Sequence, residues 1–178
     1  MTIGLGATLP DIELVDHEGH PWRTGDQRGR PLVLSLHRHL ACLPCQEHIR
    51  QMAERLDEFT DAQIVVVSFA PVERVRAHRD HLGVPFTFVS DPDRQLYQAL
   101  GAIRGSVRQI WNVGTLRMYG RLLRKGRRIR RPTEDIYQLG ADVVVGRDGR
   151  IRFLSLPPSP DTRPSVDEVL AALDRDLG

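Results

Sequence analysis

Cysteine is scarce in this chain of 178 residues, which carries only two, Cys42 and Cys45. That count excludes a small fold held by a framework of disulfide staples, and the length allows a full apolar core in their place. No basic stretch followed by an apolar one opens the chain at Met1-Thr2-Ile3-Gly4-Leu5-Gly6, so neither secretion nor a membrane span is expected, and the expected location is cytoplasmic. A phosphate-cradling glycine loop is missing as well, because Gly4-Leu5-Gly6 has no strand before it and no third glycine; no cofactor is expected. Internal repeats and low-complexity tracts are absent. What is there is a globular composition, 40% hydrophobic and 27% charged, which suits one domain over residues 1–178.

Both cysteines fall in Leu36-His37-Arg38-His39-Leu40-Ala41-Cys42-Leu43-Pro44-Cys45-Gln46-Glu47-His48. Ahead of it, Pro31-Leu32-Val33-Leu34-Ser35-Leu36 is a nearly unbroken apolar run, as in a strand covered on both faces. Behind it, Ile49, Met52, Leu56 and Phe59 recur at helical spacing, with Cys45 on the same stripe. Cys45 is therefore expected to face inward. Cys42 falls at the helix cap, one turn earlier, with Pro44 in the first turn, and is expected to be the exposed member. A helix start offers unpaired N–H groups and a partial positive charge, and these favour the thiolate, the reactive form of cysteine. Arg38 and His39 are expected to add positive charge. In a reducing compartment, this spacing after a buried strand signals a thioredoxin-type redox pair rather than a staple.

Along the rest of the chain, Leu9-Pro10-Asp11-Ile12-Glu13-Leu14, a turn at His17-Glu18-Gly19 and Pro21-Trp22 read as an N-terminal hairpin laid over the main sheet. Ile64-Val65-Val66-Val67-Ser68-Phe69 is a second buried strand, followed by a helix from Val72 to Leu82 ended by Gly83. Phe86-Thr87-Phe88-Val89 is a shorter strand, and Ser90-Asp91-Pro92 starts a helix that stops at Gly101. Asp142-Val143-Val144-Val145 and Ile151-Arg152-Phe153-Leu154 flank a glycine turn and predict an antiparallel hairpin. Ser165 with Glu168 makes a capping box for a last helix. The order predicts an α/β thioredoxin-like fold, with a central mixed sheet flanked by helices, an N-terminal hairpin and a basic helical insertion.

The insertion spans residues 104–131 and carries ten basic residues and no acid. With +2 for the whole chain, the remainder stands at −8 by difference. Ile110, Trp111, Leu116, Met118, Tyr119, Leu122 and Leu123 lie among the arginines. Such a segment reads as an interfacial helix for membrane-surface contact with anionic lipid, or as a lid over an apolar or anionic substrate. The plainer reading is a solvated basic face whose arginine stems cover a small apolar patch. Nucleic acid is not an expected partner, since no aromatic platform or recognition motif accompanies the charge.

The chain resembles the thioredoxin-like peroxiredoxin superfamily of AhpC/TSA type, and within it the peroxiredoxin-like branch related to prostamide/prostaglandin F synthase. The resemblance is carried by the strand with Cys42-Leu43-Pro44-Cys45-Gln46-Glu47, by Val89-Ser90-Asp91-Pro92 with Leu96-Tyr97-Gln98-Ala99-Leu100-Gly101, by Arg104-Gly105-Ser106-Val107, and by Gln138-Leu139-Gly140-Ala141-Asp142-Val143-Val144-Val145. It implies a redox pair of Cys42 and Cys45, with lipid endoperoxides among the substrates of some members. It also implies that 104–131 is a structural element of the branch. Typical peroxiredoxins have Pro-x-x-x-Thr-x-x-Cys ending where Cys45 stands; here Cys42 occupies the threonine position and Arg38 the proline position. The cis-proline of thioredoxins is replaced by Gly140-Ala141-Asp142.

Two functions follow. The first is a thiol-dependent oxidoreductase cycling Cys42 and Cys45 between dithiol and disulfide, with a peroxide, endoperoxide or disulfide as substrate and an external thiol or reductase as electron donor. Thioredoxin logic has Cys42 attack and Cys45 resolve, peroxiredoxin logic the reverse, and expected burial favours the first. The second is metal binding by His39, Cys42, Cys45 and His48, whose spacings occur in zinc sites. His37, His78 and His81 carry no functional expectation.

Overall fold

Alternation along three apolar strands builds the centre of the molecule. In β3 (Leu32–Leu36), β4 (Gln63–Ser68) and β6 (Ala141–Val145), Leu34, Leu36, Val65, Val67, Val143 and Val145 pack into one core layer, while Val33, Ile64, Val66 and Val144 pack into another. Every residue of β3 is buried, as its unbroken run requires. The computed structural model describes residues 3–177; Met1 and Thr2, which begin the segment searched for a leader, and Gly178 lie outside the described residues.

Among the described residues there is one seven-stranded sheet, ordered β2-β1-β5-β4-β3-β6-β7. Its further members are β1 (Glu13–Asp16), β2 (Pro21–Arg23), β5 (Thr87–Ser90) and β7 (Ile151–Ser155). The pairs β3–β4 and β4–β5 are parallel and the others antiparallel, which makes the sheet mixed. One face is covered by α1 (Leu43–Glu54), α2 (Val72–Leu82) and α6 (Val166–Leu177), through Ile49, Met52, Val75 and Val169. The other is covered by α3 (Gln95–Leu100), through Leu96, Tyr97 and Leu100, together with Leu9 and Ile12 of the N-terminal segment. No described helix is long and apolar enough to cross a membrane.

Three local expectations change. The N-terminal hairpin does not lie over the sheet but extends it, with Val15 opposite Ser90 and Asp16 opposite Val89. An edge strand satisfies the free backbone groups of β5 while Leu14 and Trp22 still reach the core. Asp91 does cap a helix, accepting from the N–H groups of Gln95 (2.8 Å) and Leu96 (2.9 Å), but Arg94 turns left-handed at φ +57°. The helix therefore starts at Gln95, and Pro92 sits in the turn before it. The cysteine helix ends at Glu54 rather than running on, and a 3-10 turn over Leu56–Phe59 buries Phe59 while Leu56 stays exposed.

Between α3 and β6 the insertion forms α4 (Val107–Ile110), with a Ser106–Gln109 capping box, and α5 (Val113–Arg124), capped by Asn112. The inserted segment runs further than 131. Its base is closed where the Gly105 N–H bonds to the Tyr137 carbonyl at 2.7 Å and the Leu139 N–H to the Ile103 carbonyl at 3.1 Å.

Candidate active site

The end of β3 delivers His37 to Ala41 as a buried turn that feeds α1. Its shape is set locally: the Cys42 N–H bonds to the His39 carbonyl at 3.1 Å, and the Gln46 side chain returns to the Leu40 carbonyl at 2.7 Å. Cys42 is the N-cap, extended at φ −69° and ψ 104°, and Pro44 is in the first turn where no N–H is missed. Cys42 and Cys45 are joined as a disulfide, with their Cα atoms 5.3 Å apart.

Cys42 is not the exposed member of the pair. It is 0% exposed and Cys45 1%, so burial does not separate them. The cause is the insertion, which folds back over the helix start. Glu134 accepts from the Leu40 N–H at 3.3 Å and pairs with Arg74 at 2.6 Å. Glu47 of α1 pairs with Lys125 at 3.4 Å and Arg127 at 3.0 Å.

Arg38 and His39 part company. The buried guanidinium of Arg38 lies with Nη1 3.8 Å from Cys42 Sγ, while Nη2 donates to the Ile136 carbonyl at 2.7 Å. Burial pushes its pKa down to about 10, which leaves it charged near neutral pH. His39 supplies no charge there: burial, with the neighbouring Arg38 cation, pushes its imidazole down to about 4. Tyr119 of α5 sits beside Arg38, its phenol pushed up by burial against the pull of that cation and the Leu43 N–H.

The proposed metal tetrad does not assemble. The two sulfurs are bonded to each other, and His48 turns its Nε2 toward Asp142 Oδ1, 3.3 Å away. Among the described residues, the one group of three metal-capable side chains with ligand atoms within 4.8 Å of one another is Asp16, Glu18 and His20, on the partly exposed β1–β2 turn.

Beneath the helix start lies a buried polar network that the motif reading missed. Asp142 Oδ1 accepts from Ser35 Oγ at 2.8 Å and from Arg163 Nη1 at 3.1 Å; Arg163 also donates to Ser35 Oγ at 2.9 Å and to the Leu36 carbonyl. Burial alone would raise the Asp142 carboxyl, but Arg163, His48 and the hydrogen bonds outweigh it and hold the pKa at about 2. An acid inside the apolar run Ala141-Asp142-Val143-Val144-Val145 was the available signal, since a buried carboxylate demands a partner. Arg163, 21 residues on in a loop, had no signal of its own.

On the other side of the turn is an apolar cavity of about 400 Å³. Arg38, His39 and Ala41 line it from the active-site turn, and Trp111, Leu116 and Tyr119 line it from the insertion.

A thioredoxin-like fold with a cysteine pair opening its first long helix is thus the class of protein defined here. More narrowly, residues 5–153 match the model of the AhpC/TSA family, and the chain belongs to that family. A putative peroxiredoxin of Mycobacterium tuberculosis is 30% identical over 99 residues, 54% of this chain and 63% of that protein, so the match spans less than two thirds of that relative. Peroxiredoxin-like 2C of Bos taurus is 23% identical over 162 residues, 84% of this chain and 71% of that one. Among solved structures, the peroxidoxin BcpB from Mycobacterium tuberculosis superposes with a TM-score of 0.70 at 19% identity, covering 96% of each chain, a likeness of fold.

Proposed function

We propose that this protein is a thiol-dependent oxidoreductase that reduces a peroxide-type substrate by cycling Cys42 and Cys45 between dithiol and disulfide. The observation that carries the reading is the bonded pair at the start of α1, with the Arg38 guanidinium 3.8 Å from Cys42 Sγ. Family membership and the peroxiredoxin names of its relatives support a peroxide as oxidant.

Cys42 is the attacking residue in this reading, now on the grounds of charge and helix position rather than exposure. Its thiolate is favoured by Arg38 and by the N–H groups of the helix start. The Cys42 sulfur takes the distal peroxide oxygen; the O–O bond breaks, and the departing alkoxide leaves as the alcohol with one proton. The Cys45 thiol then displaces hydroxide from the Cys42 sulfenic acid, giving the disulfide and water. Two electrons from an external thiol or reductase restore the dithiol, which fits a reducing compartment such as the cytoplasm. An endoperoxide or a disulfide is the alternative oxidant, taken by the same pair.

The test exposes reduced protein in parallel to hydrogen peroxide, an organic hydroperoxide and a model disulfide, then traps free thiols for mass measurement. An intramolecular disulfide is expected with a peroxide, and Cys45→Ser is expected to arrest the reaction with Cys42 oxidised. Sulfenic acid at Cys45 in the Cys42→Ser protein reverses the order of attack. Two unmodified thiols after every oxidant refute the redox reading.

A further inference from the structure

The insertion holds far more positive charge than its contacts use. Of its ten cations, Arg104 pairs with Asp135 and Lys125 and Arg127 pair with Glu47. Among the described residues, Arg108, Arg117, Arg121, Arg124, Arg128, Arg130 and Arg131 have no ion-pair partner. Helix α5 shows how the rest is arranged. Thr115 and Leu122 form its buried side. Arg117, Arg121 and Arg124 recur four and seven residues apart and make one exposed stripe. Leu116, Gly120 and Leu123 recur at the same spacing and make the stripe beside it, with Val113 and Trp111 at its start.

These apolar residues are not covered by the arginine stems. Leu116 is 57% exposed, Val113 63% and Trp111 50%. The plain solvated basic face therefore does not account for them, because such a face would spread its stems over the apolar patch. The mouth of the 400 Å³ cavity opens among the same residues, lined by Trp111, Leu116, Leu123, Ile129 and Arg130. The rest of the chain carries the opposite charge, −8 by difference, so the molecule is polarised with this segment as its positive pole.

We propose that the 104–131 face is a docking surface for an anionic lipid bilayer, with α5 lying in the interface and the cavity mouth opening toward the lipid. An anionic bilayer offers both complements together, a negative headgroup layer for the unpaired arginines and an apolar layer for Trp111, Val113, Leu116 and Leu123. It requires no matched carboxylates in fixed positions, as an acidic protein partner would for seven unpaired guanidinium groups spread over a loop and a helix. Aromatic side chains at the boundary suit the same layer, and Trp111 and Tyr119 pack together there with ring centroids 6.4 Å apart.

The test is co-sedimentation of the full chain with vesicles of phosphatidylcholine alone and of phosphatidylcholine with roughly one-third phosphatidylglycerol. A Trp22→Phe version leaves Trp111 as the sole tryptophan for emission spectra. The expected result is pelleting with the anionic vesicles only, with a blue shift of Trp111 emission. Affinity is expected to fall roughly tenfold or more on moving to high salt, and likewise when Arg117, Arg121 and Arg124 are all replaced by Glu. The milder Arg→Gln set at the same positions should fall part of the way. Equal binding to both vesicle types, no binding to anionic vesicles at low salt, or binding without a blue shift would each overturn the proposal, the second leaving this face to a protein partner. Vesicle binding involves no thiol chemistry, so it can fail while the redox reading stands.

Discussion

Arg38 connects the chemistry to its cover, since one guanidinium nitrogen faces the Cys42 sulfur and the other holds the Ile136 carbonyl of the insertion. A cation at this distance in a poorly hydrated turn is not screened by solvent, so its effect on the thiol should be large. Arg38→Gln is expected to disfavour the Cys42 thiolate, because it removes the cation 3.8 Å from the sulfur. In a Cys45→Ser background, alkylation of Cys42 near neutral pH should slow by roughly tenfold or more. An unchanged pH profile of labelling would remove Arg38 from the mechanism. The buried histidines act on stability instead. His37, His78 and Phe88 pack edge to face, with His37–His78 centroids 5.8 Å apart, and both ring nitrogens of His37 and Nε2 of His78 lack hydrogen-bond partners. Burial pushes His78 down to about 4, helped by His81, Arg130 and Arg50, and His39 likewise to about 4; His37 is pushed well below its ordinary value. A base with a lowered folded pKa binds fewer protons folded than unfolded, so its contribution is present above about pH 6.5 and is lost as the pH falls toward 4. Asp142, held at about 2 against an ordinary 3.8, contributes above the unfolded value and loses that contribution only as the pH falls from about 4 to 2. Acid unfolding is therefore expected to begin with the histidines: urea midpoints should decline from pH 6.5 to 5, and His78→Phe should flatten that decline. A flat wild-type profile over this range would contradict it.

The insertion behaves as a strap with a firm base and a clasp whose outer contacts are ion pairs. Backbone bonds between 103–105 and 137–139 fix the base. The clasp combines Arg38 on the Ile136 carbonyl and Asn112 and Thr115 on Asp161 with ion pairs at its edge, Glu134 with Arg74 and Glu47 with Lys125 and Arg127. Partly exposed ion pairs of this kind contribute about 1 kcal/mol or less each, far below the cost of opening the core. A buried disulfide must nevertheless meet its reductant, and the ion pairs at the edge of this cover are its weakest contacts. Glu134→Gln combined with Glu47→Gln is expected to speed reduction of the disulfide by dithiothreitol severalfold, with a melting temperature within a few degrees of the wild type. An unchanged reduction rate would mean that the sulfurs are reached by another path. A lid was one reading of 104–131, but that it would bury Cys42 was not legible in the sequence. Pro44 and the Cys45-Ile49-Met52 stripe located the helix start, but they say nothing of a segment arriving from 90 residues downstream to bury Cys42. The same limit explains the N-terminal hairpin: alternation shows that Leu14 and Trp22 face a core, not that β1 joins the edge of β5.

For the molecule as a whole, the order of elements was legible because β3, β4 and β6 are buried on both faces and so read as apolar runs, with Gly83 and Gly101 marking helix ends at positive φ. The Asp142–Ser35–Arg163 network was not, because it joins residues 107 and 128 apart that share only a place in the sheet and its flanking loop. A redox cycle imposes one further demand on this architecture, that the fold survive loss of the disulfide. The Cys42–Cys45 link closes a loop of sequence separation 3, so the chain entropy it removes from the unfolded state is small, about 2 kcal/mol. Neither core layer includes a cysteine, and β3, β4 and β6 are bonded to one another independently of the pair. Reduction should therefore leave the secondary structure unchanged and lower the melting temperature by only about 5 °C. Thermal scans by far-ultraviolet circular dichroism, with and without dithiothreitol, measure this directly. A reduced protein that melts tens of degrees lower, or without a cooperative transition, would show that the bond is a structural staple and that the dithiol state is not a working form.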